Sequence, residues 1–194
     1  MPPPILPTPV VGMVGLLEDR SRAVPMRWHD GDQVWLLGSP AWEAGALAAS
    51  ELAWRRGRFG GEPSLDLAAA CRLVTLLTRL PGSGILRGAH DISVGGLAVA
   101  LARLGISSSL GATIELPSES AAMPTAALFG ERTGRALVAV QPERGADLAA
   151  AAQAAGVAAW AIGFAGGDHL RITIGSARLT CGLDQLRAAW ETPF

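Results

Sequence analysis

The sequence predicts an α+β fold in which helices pack on a mixed β-sheet. Strand-like and helix-like segments alternate along the chain, the pattern of helices covering a sheet. Near the end, Val157–Gly163 and His169–Ile174 read as two strands around the short glycine-containing stretch GFAGGD. Such a pair reads as a hairpin, which argues against a doubly wound parallel sheet. With 194 residues and 49% hydrophobic content, the chain can bury the core of one such domain, or of one domain plus a piece of another.

The elements follow in order. Prolines hold 2–9 extended, and the apolar run Val10–Leu17 then reads as a short buried strand. Glu18–Asp32 is charged and mixed, a loop or edge element. Asp32–Leu37, DQVWLL, is a strand, and Ala41–Arg56 reads as one helix. After the loop Gly57–Pro63, Ser64 is placed to cap a helix running to about Leu80, whose residues Ala69, Leu73, Leu76, Leu77 and Leu80 share one face. PGSG (81–84) ends that helix, and Ile85–His90 is a strand. A helix carrying Leu97, Leu101 and Leu104 comes next, followed by an alternating strand at Ala112–Leu116. Ser118–Leu128 reads as a short helix broken at Pro124, Arg135–Val140 as a strand and Ala146–Ala155 as an Ala-rich helix. Leu183, Leu186 and Trp190 mark a final amphipathic helix.

Composition excludes several classes. A net charge of −1, with no basic run or acidic tail, implies no strong pull toward nucleic acid or an anionic membrane. Lys, Asn and Tyr are absent while Ala, Gly, Pro and Arg abound, the signature of a genome of high G+C content. Cys71 and Cys181 are far apart, without a CxxC neighbour, and read as reduced thiols of a cytoplasmic protein. The Pro-rich start lacks the positive n-region of a signal peptide. The uncharged stretch 148–167 is a helix followed by a strand rather than a membrane span. The six Trp are scattered as core or interface anchors, with Trp42 and Trp54 placed for an interdomain contact. His29 and His169 read as lone surface or loop residues.

Chemistry concentrates in two stretches. In GAHDISVGGLAVAL (88–101), His90, Asp91 and Ser93 sit where a strand gives way to a helix, and Gly95 and Gly96 permit close backbone approach. A helix N-terminus suits an anion, and Asp91 is an oxygen ligand suited to Mg²⁺. The spacing is not that of a Walker A loop. The same residues also make a plain capped strand-to-helix turn, and locally both readings stand. In FGERTGR (129–135), two arginines, Arg132 and Arg135, and Thr133 lie with Glu131 in a Gly-flanked loop. It reads either as a phosphate contact or as a solvated turn before a strand. No Ser-His-Asp order, HExxH or zinc spacing is present.

The succession PTPVVGMVGLLED, DQVWLLG, AHDISVGGLAVAL, LFGERTGRALVAV and LRAAWE resembles the phosphoribosylformylglycinamidine synthase family, at the C-terminal end of its synthetase subunit. The resemblance spans nearly the whole chain. It implies a three-layer α/β/α fold with a mixed sheet, like the C-terminal domain of aminoimidazole ribonucleotide synthetase. Residues 1–30 would end a preceding N-terminal-type domain and 31–194 would form the C-terminal-type domain, so the chain would be a piece of a larger synthetase and inactive alone. Implied for the whole enzyme is an ATP-dependent C–N ligation in purine biosynthesis, converting formylglycinamide ribonucleotide to formylglycinamidine ribonucleotide. Implied cofactors are Mg and ATP/ADP. Implied partners are the remaining synthetase domains, a glutaminase subunit and a small accessory subunit, with no nucleic acid and no membrane. A hydrogenase maturation factor of the same superfamily, or a non-catalytic interaction module, is the alternative.

By the same resemblance Asp91 matches a metal ligand. Ser93, Gly95, Gly96, Glu131, Arg132 and Thr133 match nucleotide or phosphate contacts, and no residue of this chain is catalytic. The sequence departs from the family pattern in three places. Val94 stands where a second Asp is usual, Glu131-Arg-Thr-Gly-Arg135 replaces Glu-Ser-Gln-Gly-Arg, and Ala-rich sequence ending Ala49-Ser-Glu-Leu replaces Gly-Gly-Ser-Glu-Tyr. These departures imply a second, vestigial site kept for packing.

Overall fold

The computed structural model describes residues 10–58, 60 and 65–192. Its elements in chain order are β1 (Gln33–Gly38), α1 (Glu51–Arg55), α2 (Leu67–Arg79), β2 (Leu86–Asp91), α3 (Gly96–Ser108), β3 (Ala112–Glu115) and α4 (Pro124–Phe129). These are followed by β4 (Arg135–Val140), α5 (Gly145–Ala154), β5 (Ala159–Ala165), β6 (His169–Ile174), β7 (Ala177–Gly182) and α6 (Leu183–Glu191). The strands form one seven-stranded sheet in the order β2-β4-β1-β5-β3-β6-β7. β3 and β6 run parallel and every other neighbouring pair is antiparallel, so the sheet is mixed as expected.

Two cores explain why VWLL and ALVAV are almost continuously apolar: both faces of the central strands are covered. Val34, Leu36 and Leu137 pack with Leu97, Leu101 and Leu104 of α3 on one face. Trp35, Leu37 and Val138 pack with Leu73 and Leu76 of α2 and Leu148 of α5 on the other. That makes three layers, α/β/α. Beyond β5 the cover is one-sided: β3 alternates buried and exposed residues, and five of the six β7 residues are exposed.

Several expectations need correction. Val157–Gly163 and His169–Ile174 do not form a hairpin with each other. β3 lies between them, antiparallel to β5 and parallel to β6. The GFAGGD turn is held open by β3's entry: the Gly111 amide donates to the Gly167 carbonyl at 2.7 Å, and the Gly166 amide donates to the Gly111 carbonyl at 2.8 Å. The true hairpin is β6–β7, where Ile174 pairs with Ala177 across Gly175 and Ser176. Gly175 has φ +55, as a tight two-residue turn demands. β7 escapes a reading of the sequence because an exposed edge strand carries no alternating apolar signal.

Val10–Leu17 is not a buried strand. It has no regular structure, and Val10, Met13, Val14 and Leu16 are almost fully exposed. Apolar side chains supply no ladder partner, and no strand of the described residues pairs with this segment. Nor is Ala41–Arg56 one helix. It divides into a 3₁₀ turn at Ala44–Leu47 and α1, because Ala49 takes φ +55 and Ser50 starts α1 afresh, its hydroxyl accepting from the Ala53 amide. Of the two Trp assigned to an interdomain contact, Trp42 packs on Trp160 with centroids 5.1 Å apart, while Trp54 is exposed. The stretch 118–128 is broken at Pro124 as expected: a 3₁₀ turn, Ser118–Ala122, ends before it, and Pro124 opens α4 at its first position, where its missing N–H costs nothing.

Ser64 lies outside the described residues. The cap of α2 is Asp66, whose carboxylate accepts from the Ala69 amide at 2.9 Å. Asp66→Ala is expected to cost about 1 kcal/mol of stability, read as a lower urea midpoint with unchanged slope. Cys71 and Cys181 are free and exposed. Among the described residues no helix is long and apolar enough to cross a membrane.

Candidate functional site

Strand β2 ends at Asp91 and α3 begins at Gly96, so the HDISVGG turn stands at the sheet edge beside the loop 131–134 that leads into β4. Ile92 is buried and anchors the turn, while Ser93 and Val94 face outward. Gly95 and Gly96 have φ +84 and +68, a region that favours glycine. A Cβ on Gly96 would lie 2.7 Å from the Leu128 carbonyl oxygen and 2.8 Å from the Phe129 backbone. Its absence lets α4 close on the start of α3.

Glu131 ties this turn to the rest of the site. One carboxylate oxygen accepts from the Gly95 amide at 2.9 Å and from the Glu51 amide at 2.8 Å. A single anion thus serves the N-termini of α1 and α3, where free N–H groups and the helix dipole favour negative charge. The position the sequence offers to a phosphate is in this chain occupied by its own carboxylate. Arg132 forms an ion pair with Glu43.

Two further groups, His90 and Arg135, lie in the two stretches the sequence singles out, but the resemblance gave neither a role. His90 is buried, its Nδ1 lies 2.9 Å from Asp91, and its Nε2 has no partner. Burial lowers its pKa below the ordinary 6.5, with Arg103 adding to the effect and Asp91 opposing it. Arg135 is 3% exposed and opens a strand whose every residue is buried. Its Nη1 donates to the Gly130 carbonyl at 3.1 Å, while Nε and Nη2 have no partner. Burial first, and the neighbouring Arg132 second, lower its pKa to about 10.

These groups surround an open cleft of about 820 Å³ between α2, the β2–α3 turn and the 131–135 loop. Asp91, Ser93, Glu131, Arg132 and Thr133 all line it, whereas Gly95 and Gly96 do not. The α2 side is apolar, through Leu73, Val74 and Leu77. His29 and His169 lie elsewhere, beside Asp32 and Asp168. The donor set does not fit a magnesium ion held by this chain alone. Asp91 is exposed and shares an oxygen with His90, the bonded oxygen of Glu131 is committed to amides, and no group of three His, Cys, Asp or Glu side chains converges among the described residues. Mg²⁺ bound through one carboxylate takes its other oxygens from water and phosphate. The cleft therefore offers guanidinium groups, hydroxyls and an apolar wall, a chemistry suited to an anionic ligand.

The model of the AIR synthase related protein C-terminal domain matches residues 29–175. The chain is 36% identical over 193 residues to the phosphoribosylformylglycinamidine synthase subunit PurL of Sinorhizobium fredii, covering 98% of this chain and 25% of that protein. It is 38% identical to the PurL of Thermosynechococcus vestitus over 206 residues, covering 100% of this chain and 27% of that protein. The chain thus spans about a quarter of the length of the curated relatives it matches. The fold is similar to that of Thermotoga maritima PurL complexed with FGAR, with a TM-score of 0.67 at 14% identity over 86% of this chain and 30% of that one. With the family model covering residues 29–175, and so most of both cores and of the cleft, the chain belongs to the AIR synthase related family and contains its C-terminal domain.

Proposed function

We propose that this chain is the C-terminal part of the synthetase subunit of a phosphoribosylformylglycinamidine synthase, an ATP-dependent ligase that converts formylglycinamide ribonucleotide to formylglycinamidine ribonucleotide. The observation that carries the reading is the match along almost the whole chain to proteins of that name, at 36–38% identity, confined to a quarter of their length. On this reading 31–194 is the C-terminal-type domain, and 1–30 is the end of a preceding one. The exposed apolar run Val10–Leu17, which finds no partner among the described residues, supports that division. The remaining synthetase domains, a glutaminase subunit and a small accessory subunit complete the enzyme, and ATP/ADP and magnesium are its cofactors.

Within such an enzyme this domain's cleft is a binding and packing element rather than the reacting centre. Val94, 67% exposed, stands where the family's second acid is usual, and Glu131 spends its charge on the chain's own amides. The chain alone is expected to give no product from ATP, ammonia and formylglycinamide ribonucleotide. Co-expressed with a relative's subunit cut back to its other three quarters, it is expected to restore growth without purines. Turnover by the isolated chain would refute inactivity, and failure to co-purify with that truncated subunit would refute the domain assignment.

A further inference from the structure

We infer that the outer edge of β7 is a self-association surface, at which two copies of this chain pair antiparallel about Leu179 and join their sheets. This edge lies at the opposite end of the sheet from the cleft, and its pairing is independent of the enzyme assignment.

The hairpin fixes which backbone groups of β7 face outward. Its two-residue turn makes Ile174 and Ala177 a hydrogen-bonded pair, and such pairs alternate along the ladder. At the far end the Leu183 amide donates to the Asp168 carbonyl at 3.0 Å, in step with that alternation. Ala177, Leu179 and Cys181 therefore spend their amides and carbonyls on β6, while Arg178, Thr180 and Gly182 turn theirs away from it. The Gly182 amide is taken by Gln185 Oε1 at 3.1 Å. The outward groups of Arg178 and Thr180 have no partner among the described residues.

The chain treats its two sheet edges differently. Segment 25–27 lies along β2: the Ala89 amide donates to the Pro25 carbonyl at 3.1 Å, and a Cβ on Gly88 would meet the Arg27 carbonyl oxygen. β7 has no such cover, because α6 turns back over α3, where Arg187 donates to the Ile106 carbonyl at 3.1 Å. Nor does β7 carry a proline or a bulge, devices that keep an edge from pairing.

The free edge is complementary to itself. With the twofold axis at Leu179, Arg178 of each copy faces Thr180 of the other, and each such pair exchanges both of its ladder bonds. An axis at Arg178 would set guanidinium against guanidinium. An axis at Thr180 would need the Gly182 amide, which is already spent. Leu179 is 47% exposed and shares a face with the buried Ile172. At the axis it meets its own copy in a non-hydrogen-bonded pair, where side chains lie closest. A net charge of −1 leaves little repulsion between copies. A six-residue edge buries less than the roughly 1,200 Å² of a stable interface, so the dimer is weak and reversible.

Sedimentation equilibrium of the reduced 194-residue chain is expected to show a weight-average mass rising toward twice the monomer's between about 20 µM and 1 mM. Thr180→Pro removes an outward amide and none of the bonds to β6, and is expected to stay monomeric with a Tm near the original. Register is read by cross-linking in a Cys71→Ser background, with diamide as the oxidant that takes up the thiol hydrogens. Position 177 of one copy lies opposite the exposed Cys181 of the other, with Cα atoms about 4.5 Å apart, within reach of a disulfide. Within one chain the two positions are about 13 Å apart and cannot be bridged. Ala177→Cys is therefore expected to form disulfide-linked dimer at least about tenfold faster than either single-thiol control, the Cys71→Ser chain or Ala177→Cys combined with Cys181→Ser. A monomer throughout the concentration range, dimerisation that Thr180→Pro leaves intact, or cross-linking no faster than in the controls overturns the inference. If Thr180→Pro fails to fold, the cross-linking comparison decides alone.

Discussion

Gly96→Ala is expected to lower stability by about 2–4 kcal/mol. Two costs combine. The residue sits at φ +68, where an L side chain is strained, and its Cβ would overlap the Leu128 carbonyl oxygen and the Phe129 backbone. Neither contact is the free end of a flexible side chain, so relief requires α4 to move away from α3. Gly31→Ala separates the two costs, since Gly31 has φ +78 but nothing within 4 Å of where its methyl would stand. It should lose only the dihedral cost, about 1 kcal/mol. Urea unfolding of both variants gives the difference. Equal losses would show that the α3–α4 approach is not tight.

Removing the carboxylate of Glu131 is expected to cost a comparable amount, for a different reason. Glu131→Ala strands the Gly95 and Glu51 amides that share its oxygen, at about 2–4 kcal/mol for two charge-assisted bonds. Glu131→Gln keeps an acceptor oxygen but not the charge, and should recover about half of the loss. Hydrogen exchange locates the effect: the Gly95 and Glu51 amides should lose protection while amides of β4 and β1 exchange as before. If the Ala variant left both amides protected, the carboxylate would not be their partner. Both predictions concern residues that the sequence marks for a phosphate and that the structure uses to hold the chain together.

Much of the fold was legible because periodicity reports burial. VWLL and ALVAV lie in β1 and β4, covered on both sides, and Leu97, Leu101 and Leu104 face one core from α3. The failures came where an element's state depends on a distant partner. Val10–Leu17 is apolar enough for a strand, yet no neighbour among the described residues completes its ladder. Conversely, β7 is almost wholly exposed yet is a strand, because β6 supplies its hydrogen bonds. GFAGGD carried a hairpin signal, but β3, which ends at Glu115, comes from much earlier in the chain to separate its two strands. In the site, the two stretches that bear Asp91, Ser93, Glu131, Arg132 and Thr133 were picked out from residue type and glycine spacing, and they do meet at one cleft. What each side chain does there was not readable.

The sequence by itself determined the class of the fold, the positions of its central strands and the family to which the chain is similar. All three rest on local pattern and residue order. Tertiary structure decided the strand order, the true hairpin and the division of labour within the cleft. Whether Glu131 meets a ligand or two backbone amides, and whether Arg135 finds a carboxylate or none, depends on distances between segments far apart in the chain. Residue types show what charges are present, but only packing shows which of them are already spent.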